Sequence, residues 1–118
     1  MSKKILVIDD EPDIREILRL RLQANQYEVL TASDGRQGLR LLAEQRPDVI
    51  VLDVMMPNMD GVTFIGELKK IEAVKNTPVI VLTAKEMMED LLVLEGIKDC
   101  IVKPFQAEQL LETIRKYV

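Results

Sequence analysis

The chain has 118 residues, 47% hydrophobic and 31% charged, which suits one folded domain with a charged surface. Its 16 basic and 20 acidic side chains leave a net charge of −4, so a basic nucleic-acid-binding surface is not expected. Histidine is absent and Cys100 is the only cysteine, which excludes His–metal sites, Ser-His-Asp catalysis, an internal disulfide and a cysteine-based zinc site. No apolar run reaches membrane-spanning length, and the run that ends at Asp9-Asp10 is too short for a secretory h-region. The expectation is a single domain over residues 1–118 in a reducing cytoplasm, with no membrane contact.

Lys4 to Ile8 reads as a short apolar strand that stops at Asp9-Asp10-Glu11. Pro12 suits the first turn of a helix, where its missing N–H costs nothing. Ile14, Ile17, Leu18 and Leu22 then recur at helical spacing until Asn25-Gln26. Glu28 to Thr31 is a brief second strand. Asp34 can cap the next helix with Gln37 as its capping-box partner, and Leu39, Leu42 and Ala43 supply the buried side. Pro47 closes the connection to Val49–Asp53, a run without polar alternation, as in a strand buried on both faces. A helix is expected from near Val62 to Ile71, with Phe64, Ile65 and Leu68 inward. A mostly polar connector and Pro78 lead to Val79–Leu82, which ends at Thr83-Ala84. A fourth helix from about Glu86 to Glu95 stops at Gly96. Asp99 to Val102 is the fifth strand, ending at Lys103-Pro104, and Gln106 to Tyr117 is the last helix, with Leu110, Leu111 and Ile114 inward. Strand followed by helix, five times over, implies an α/β fold: a doubly wound parallel sheet with helices on both faces.

Polar residues stand at four strand C-termini: Asp9 and Asp10, Asp53, Thr83, and Lys103. In such a sheet these ends converge on one edge, where ligands bind. Carboxylates brought together there repel by about 4 kcal/mol per pair at an effective dielectric of ~20 and ~4 Å. An all-oxygen cluster calls for a hard cation; Mg²⁺ fits best, with Mn²⁺ as its substitute. Lys103 offers a point charge for a phosphate and Thr83 a hydroxyl donor. Cation, ammonium and hydroxyl around one carboxylate suit phosphoryl transfer with Asp53 as nucleophile.

These residues resemble the response-regulator receiver domains of the CheY-like superfamily. The match is carried by Val7-Ile8-Asp9-Asp10-Glu11, Val51-Leu52-Asp53-Val54-Met55-Met56-Pro57 with Asp60-Gly61, Val81-Leu82-Thr83-Ala84, and Lys103-Pro104-Phe105, and it runs the length of the chain. The resemblance implies a flavodoxin-like sheet in the order 2-1-3-4-5. It implies that Asp53 takes a phosphoryl group from the phosphohistidine of a sensor histidine kinase, within a two-component phosphorelay. Asp10, Asp53 and the backbone carbonyl of Met55 would hold Mg²⁺, with Asp9 acting mainly through bound water. Thr83 and Lys103 would contact the phosphoryl oxygens, and the Lys103–Pro104 bond would be cis. The output would be a downstream effector protein or a fused output domain.

One position departs from the family pattern. Cys100 stands three residues before the lysine, where an aromatic residue is usual. A buried thiol has no comparable swing, so switching is expected to run through Thr83, Ala84 and the loop after them. The fourth helix carries Met87, Met88, Leu91, Leu92, Val93 and Leu94, which cannot all face one core at about 100° per residue. With the fifth strand and the last helix it would form the face for a partner or a second copy.

The rival readings fit less well. A phosphatase with an aspartate nucleophile resembles Asp-x-Asp, and Asp53-Val54-Met55 lacks the second carboxylate. A flavin-binding module wants a Ser/Thr/Gly-rich phosphate loop where this chain has Asp9-Asp10-Glu11-Pro12. A degenerate receiver serving only as an interaction module would not need the full set of site residues. The domain is therefore read as a switch that catalyses its own phosphorylation and slow dephosphorylation, not as a metabolic enzyme.

Overall fold

The computed structural model describes residues 2–54, 61–84 and 97–118, with 61–62 by backbone only. Its elements are β1 (Lys4–Ile8), α1 (Pro12–Ala24), β2 (Glu28–Ala32), α2 (Gly35–Gln45), β3 (Val49–Asp53), α3 (Gly61–Lys69), β4 (Val79–Thr83), β5 (Ile97–Val102) and a C-terminal helix, Ala107–Arg115. The strands form one parallel sheet in the order β2-β1-β3-β4-β5. This is the doubly wound, flavodoxin-like arrangement expected from the strand–helix alternation. The fourth helix expected at Glu86 to Glu95, and the Met55 carbonyl, lie outside the described residues.

The apolar runs of the central strands are explained by two cores, one on each face. Leu6, Ile8, Ile50, Leu52, Val79 and Val81 pack with Leu42, Phe64, Ile65 and Leu68 of α2 and α3. Their strand neighbours Ile5, Val7, Val49, Val51, Ile80 and Leu82 pack with Leu18, Leu22, Leu110 and Ile114 of α1 and the C-terminal helix. Side chains alternate across a sheet, so covering both faces demands apolar residues at every position. Each such fully buried side chain contributes about 1.5–3 kcal/mol relative to exposure.

The helix faces differ in places from the periodic reading. Ile17 is 54% exposed, on the flank of the buried line through Leu18 and Leu22. Ala43 is exposed, whereas Leu42 is buried and Leu39 packs against the core as expected; Gly35 and Gly38 complete the buried side of α2, and at Gly38 only glycine allows the helix so close to the sheet. A Cβ on Gly38 would stand 2.6 Å from Ile8 Cδ1 and 3.3 Å from Phe64 Cε2, both on fully buried side chains. Gly38→Val therefore overpacks this junction. A loss of about 1–3 kcal/mol is expected in denaturant unfolding; an unchanged midpoint would contradict the close approach.

β5 begins at Ile97, two residues before the expected start at Asp99. A register shift lets Val79 pair with Ile97 and Ile80 with Asp99, which takes Lys98 out of the pairing. β5 is also an edge strand, paired only with β4. Cys100 on this strand is half-buried, less deep than the buried thiol expected, while Ile97 and Ile101 beside it are buried. Among the described residues no helix is long and apolar enough to cross a membrane.

Candidate functional site

β1, β3, β4 and β5 run parallel, so their C-terminal ends deliver Asp9, Asp53, Thr83 and Lys103 to one edge. The Lys103 backbone N–H donates to the Thr83 carbonyl at 2.8 Å, which ties the last two ends together. A cavity of about 240 Å³ opens there, lined by Asp10, Glu11, Asp53, Thr83, Ala84 and Lys103.

Asp53 is buried, and its Oδ2 accepts a hydrogen bond from Lys103 Nζ at 2.9 Å. Burial works against the charge of Lys103. The Asp53 hydrogen bond and the negative charges of Asp53, Asp9 and Glu11 outweigh it, so the ammonium is held above its ordinary value. The Lys103–Pro104 peptide bond is cis. Thr83 is buried, and its hydroxyl donates to the Ala84 carbonyl at 3.2 Å.

Asp9 is fully buried. Its Oδ1 accepts the Glu11 N–H at 2.9 Å, while Oδ2 is buried without a hydrogen-bond partner among the described residues. Burial pushes its carboxyl above the usual range; the Glu11 N–H opposes this, the Asp53 charge adds to it, Lys103 opposes and Asp10 adds. Asp9, Asp10 and Asp53 each present a carboxylate oxygen within 4.8 Å of the others, Asp10 being the most open to solvent. An all-carboxylate cluster, one of whose members keeps a buried oxygen without a partner among the described residues, fits a hard divalent cation and fits a soft one poorly.

The structure thus brings together Asp9, Asp10, Asp53, Thr83, Ala84 and Lys103. Cys100 is not among the residues that line the cavity. It packs against the core on the α2–α3 face, and its N–H donates to Asp99 Oδ1 at 3.0 Å. Burial first, and then the Asp99 charge, push its thiol up, which keeps it protonated and unreactive at neutral pH.

Two features escaped the sequence reading. Arg15 Nη1 donates to the Asp9 carbonyl at 2.7 Å. An apolar groove of about 490 Å³ also flanks the site, lined by Ile14, Ile17, Leu18, Pro104, Phe105 and Ala107, and it shares Glu11 and Lys103 with the acidic cavity. The signals available were the arginine one helical turn beyond Glu11 and the excess apolar residue on α1.

An open parallel sheet with three acidic side chains and a lysine at its carboxyl edge defines a doubly wound α/β domain with a candidate cation site. The model of the response regulator receiver domain matches residues 5–115, and the chain belongs to that family of two-component signalling switches. It is 41% identical over 117 residues to the response regulator MprA of Mycolicibacterium vanbaalenii, covering 98% of this chain and 50% of that protein. Among solved structures it superposes on the chemotaxis response regulator CheY4 of Vibrio cholerae with a TM-score of 0.90 at 36% identity, over 100% of both chains. It also superposes on the response regulator TrrA of Thermotoga maritima, solved in complex with Mg²⁺-BeF, with a TM-score of 0.88 at 35% identity, over 99% of this chain and 100% of that one. The chain spans about half the length of the curated relatives it matches.

Proposed function

We propose that Asp53 accepts a phosphoryl group from the phosphohistidine of a sensor histidine kinase, and that the domain, acting as one unit over residues 1–118, switches in response. The observation that carries this reading is the buried Asp53 carboxylate, held by Lys103 at 2.9 Å beside the orphaned oxygen of Asp9. In the transfer, a carboxylate oxygen of Asp53 bonds to phosphorus as the P–N bond to the donor imidazole breaks. The ring nitrogen keeps the electron pair and takes up a proton from solvent. Lys103 holds the carboxylate in place and then meets the added negative charge. Asp9, Asp10 and Asp53, with the Met55 carbonyl that the family resemblance adds, would hold Mg²⁺ or Mn²⁺. When bound, that cation neutralises charge on the phosphoryl oxygens.

Phosphorylation takes Asp53 from about −1 to roughly −2 and adds acceptor oxygens. The Thr83 hydroxyl can reach them only by giving up the Ala84 carbonyl, which frees the backbone at Ala84 to shift. Ala84 is exposed, so the change emerges at the surface. Cys100 lies beside the route on β5 and transmits by packing, not by a side-chain swing. The signal is read by an effector protein or an output domain of a longer chain in the cytoplasm, or by a second copy meeting the fourth helix, β5 and the C-terminal helix. Slow self-dephosphorylation resets it. The test is intact mass after incubation with a small phosphodonor and Mg²⁺: one phosphoryl group is expected, and its absence would overturn the reading.

The apolar groove beside the cavity is where a protein donor gains contact area that a small donor does not, because Glu11 and Lys103 border both. Ile17→Lys puts a charge on its exposed bank. Transfer from the partner kinase should slow by about fivefold or more, as for a truncated interface anchor worth over 1 kcal/mol. Phosphorylation by the small donor should stay unchanged; equal slowing with both donors would contradict the docking role.

A further inference from the structure

We infer that Arg15 is a positioning residue for the acidic site: its guanidinium fixes the peptide plane between Asp9 and Asp10, and so fixes where both carboxylates point. The inference rests on the reading of Asp9 and Asp10 as cation ligands. α1 begins at Pro12, and the Arg15 N–H donates to the Glu11 carbonyl at 3.0 Å, which places Arg15 one turn into the helix. Helical side chains slope back towards the N-terminus, so a long one at this position reaches over the β1–α1 loop. Arg15 Nη1 meets the Asp9 carbonyl there at 2.7 Å, a short, charge-assisted hydrogen bond.

Asp9 is held from three directions. Its N–H donates to Ala32 at the end of β2 at 3.1 Å, its Oδ1 accepts from Glu11, and its carbonyl accepts from Arg15. The one remaining polar atom, Oδ2, is buried without a partner among the described residues, and the Asp9 carboxylate belongs to the cluster with Asp10 and Asp53. β1 ends at Ile8, so the Asp9 carbonyl has left the sheet ladder. Without the guanidinium the peptide between Asp9 and Asp10 loses one of its three restraints, and a change in its plane alters the backbone from which both ligands project.

Charge and position predict opposite signs. If Arg15 acted only as a cation near the site, removing it would tighten divalent binding. If it acts by holding the peptide, removing it weakens binding. The experiment is a Mn²⁺ titration of the full chain followed by electron paramagnetic resonance, for the unmodified protein, Arg15→Met and Arg15→Lys, with thermal melts as the folding control. Arg15→Met should bind about tenfold more weakly, the size seen when groups that orient metal ligands are lost, and Arg15→Lys should bind more weakly than the unmodified protein but more tightly than Arg15→Met, since a lysine keeps a donor but not the guanidinium fork. At saturating Mg²⁺, phosphorylation of Arg15→Met by a small donor should return to near the unmodified rate, which a general structural defect would not allow. Unchanged or tighter Mn²⁺ binding by folded Arg15→Met overturns the role. If that variant gives no cooperative melt, Arg15→Lys decides, and an affinity equal to the unmodified protein overturns it. Failure of the unmodified protein to bind Mn²⁺ would instead remove the cation reading itself.

Discussion

Asp53→Asn should take up no phosphoryl group from either a small donor or a kinase, while melting close to the unmodified protein. The two halves of this expectation have separate causes. A carboxamide is nearly isosteric with a carboxylate but lacks the nucleophilic anion, so the acyl phosphate cannot form. The fold, in contrast, loses little. Lys103 is 35% exposed, so water can solvate the ammonium once its partner is gone, and the amide oxygen can still accept its hydrogen bond. For a pair with one solvated member the net change is expected to stay within about 1 kcal/mol. Removing the Asp53 charge also relieves the like-charge contact with Asp9. Intact mass, read beside a thermal melt, separates chemistry from folding. A phosphoryl adduct on folded Asp53→Asn would place the acceptor elsewhere. A variant that fails to melt cooperatively would mean that Asp53 holds the fold together, contrary to the exposure of Lys103.

Legibility in the sequence followed from how strongly each residue's surroundings constrain it. Asp53 stands out because five buried positions, Val49 to Asp53, end in a charge, and a fully covered parallel strand leaves no other reason for one. Asp9, Thr83 and Lys103 follow from the same rule, since parallel strands must end on the same edge. Arg15 did not stand out. Its role depends on the length and slope of one side chain, and on an exposed helix an arginine looks like any other surface charge. Gly38 was missed because a close approach of helix to sheet leaves no periodic mark; the deciding contacts, with Ile8 and Phe64, come from distant parts of the chain. The half-burial of Cys100 left no mark in the local pattern, since its strand neighbours Ile97 and Ile101 are buried on the same edge strand. Ile17 broke the helical pattern for a related reason: the groove it lines is made with Phe105 and Pro104, nearly a full chain length away.

Asp9→Asn should make the cation-free protein more stable and leave it unresponsive to Mg²⁺. Asp9 is fully buried, its Oδ2 has no partner among the described residues, and it shares its surroundings with the charges of Asp53 and Asp10. Its folded-state value is raised, by burial first, with the Glu11 N–H only partly opposing. The sign follows directly. A carboxyl whose folded value lies above its unfolded one contributes stability below the unfolded value, and loses that contribution as pH rises through the folded value. The unfavourable charge of the cation-free fold is therefore greatest above the raised folded value, and titration downward towards 3.8, the ordinary value for this group, relieves it. Asparagine removes the charge at every pH and offers an N–H₂ to the neighbouring carboxylates. The gain should be about 1–3 kcal/mol, the usual size for relieving one unsatisfied buried group, which is several degrees in a domain of this length. Added Mg²⁺ reverses the order. A ligand present at ~100 times its dissociation constant stabilises by about 2.7 kcal/mol, and only the protein with its full carboxylate set gains this. Paired thermal melts in chelator and in saturating Mg²⁺ check both halves. If Asp9→Asn melted at or below the unmodified protein in chelator, Asp9 would be a structural carboxylate. If it responded to Mg²⁺ as strongly as the unmodified protein, the cation would depend on Asp10 and Asp53 without Asp9.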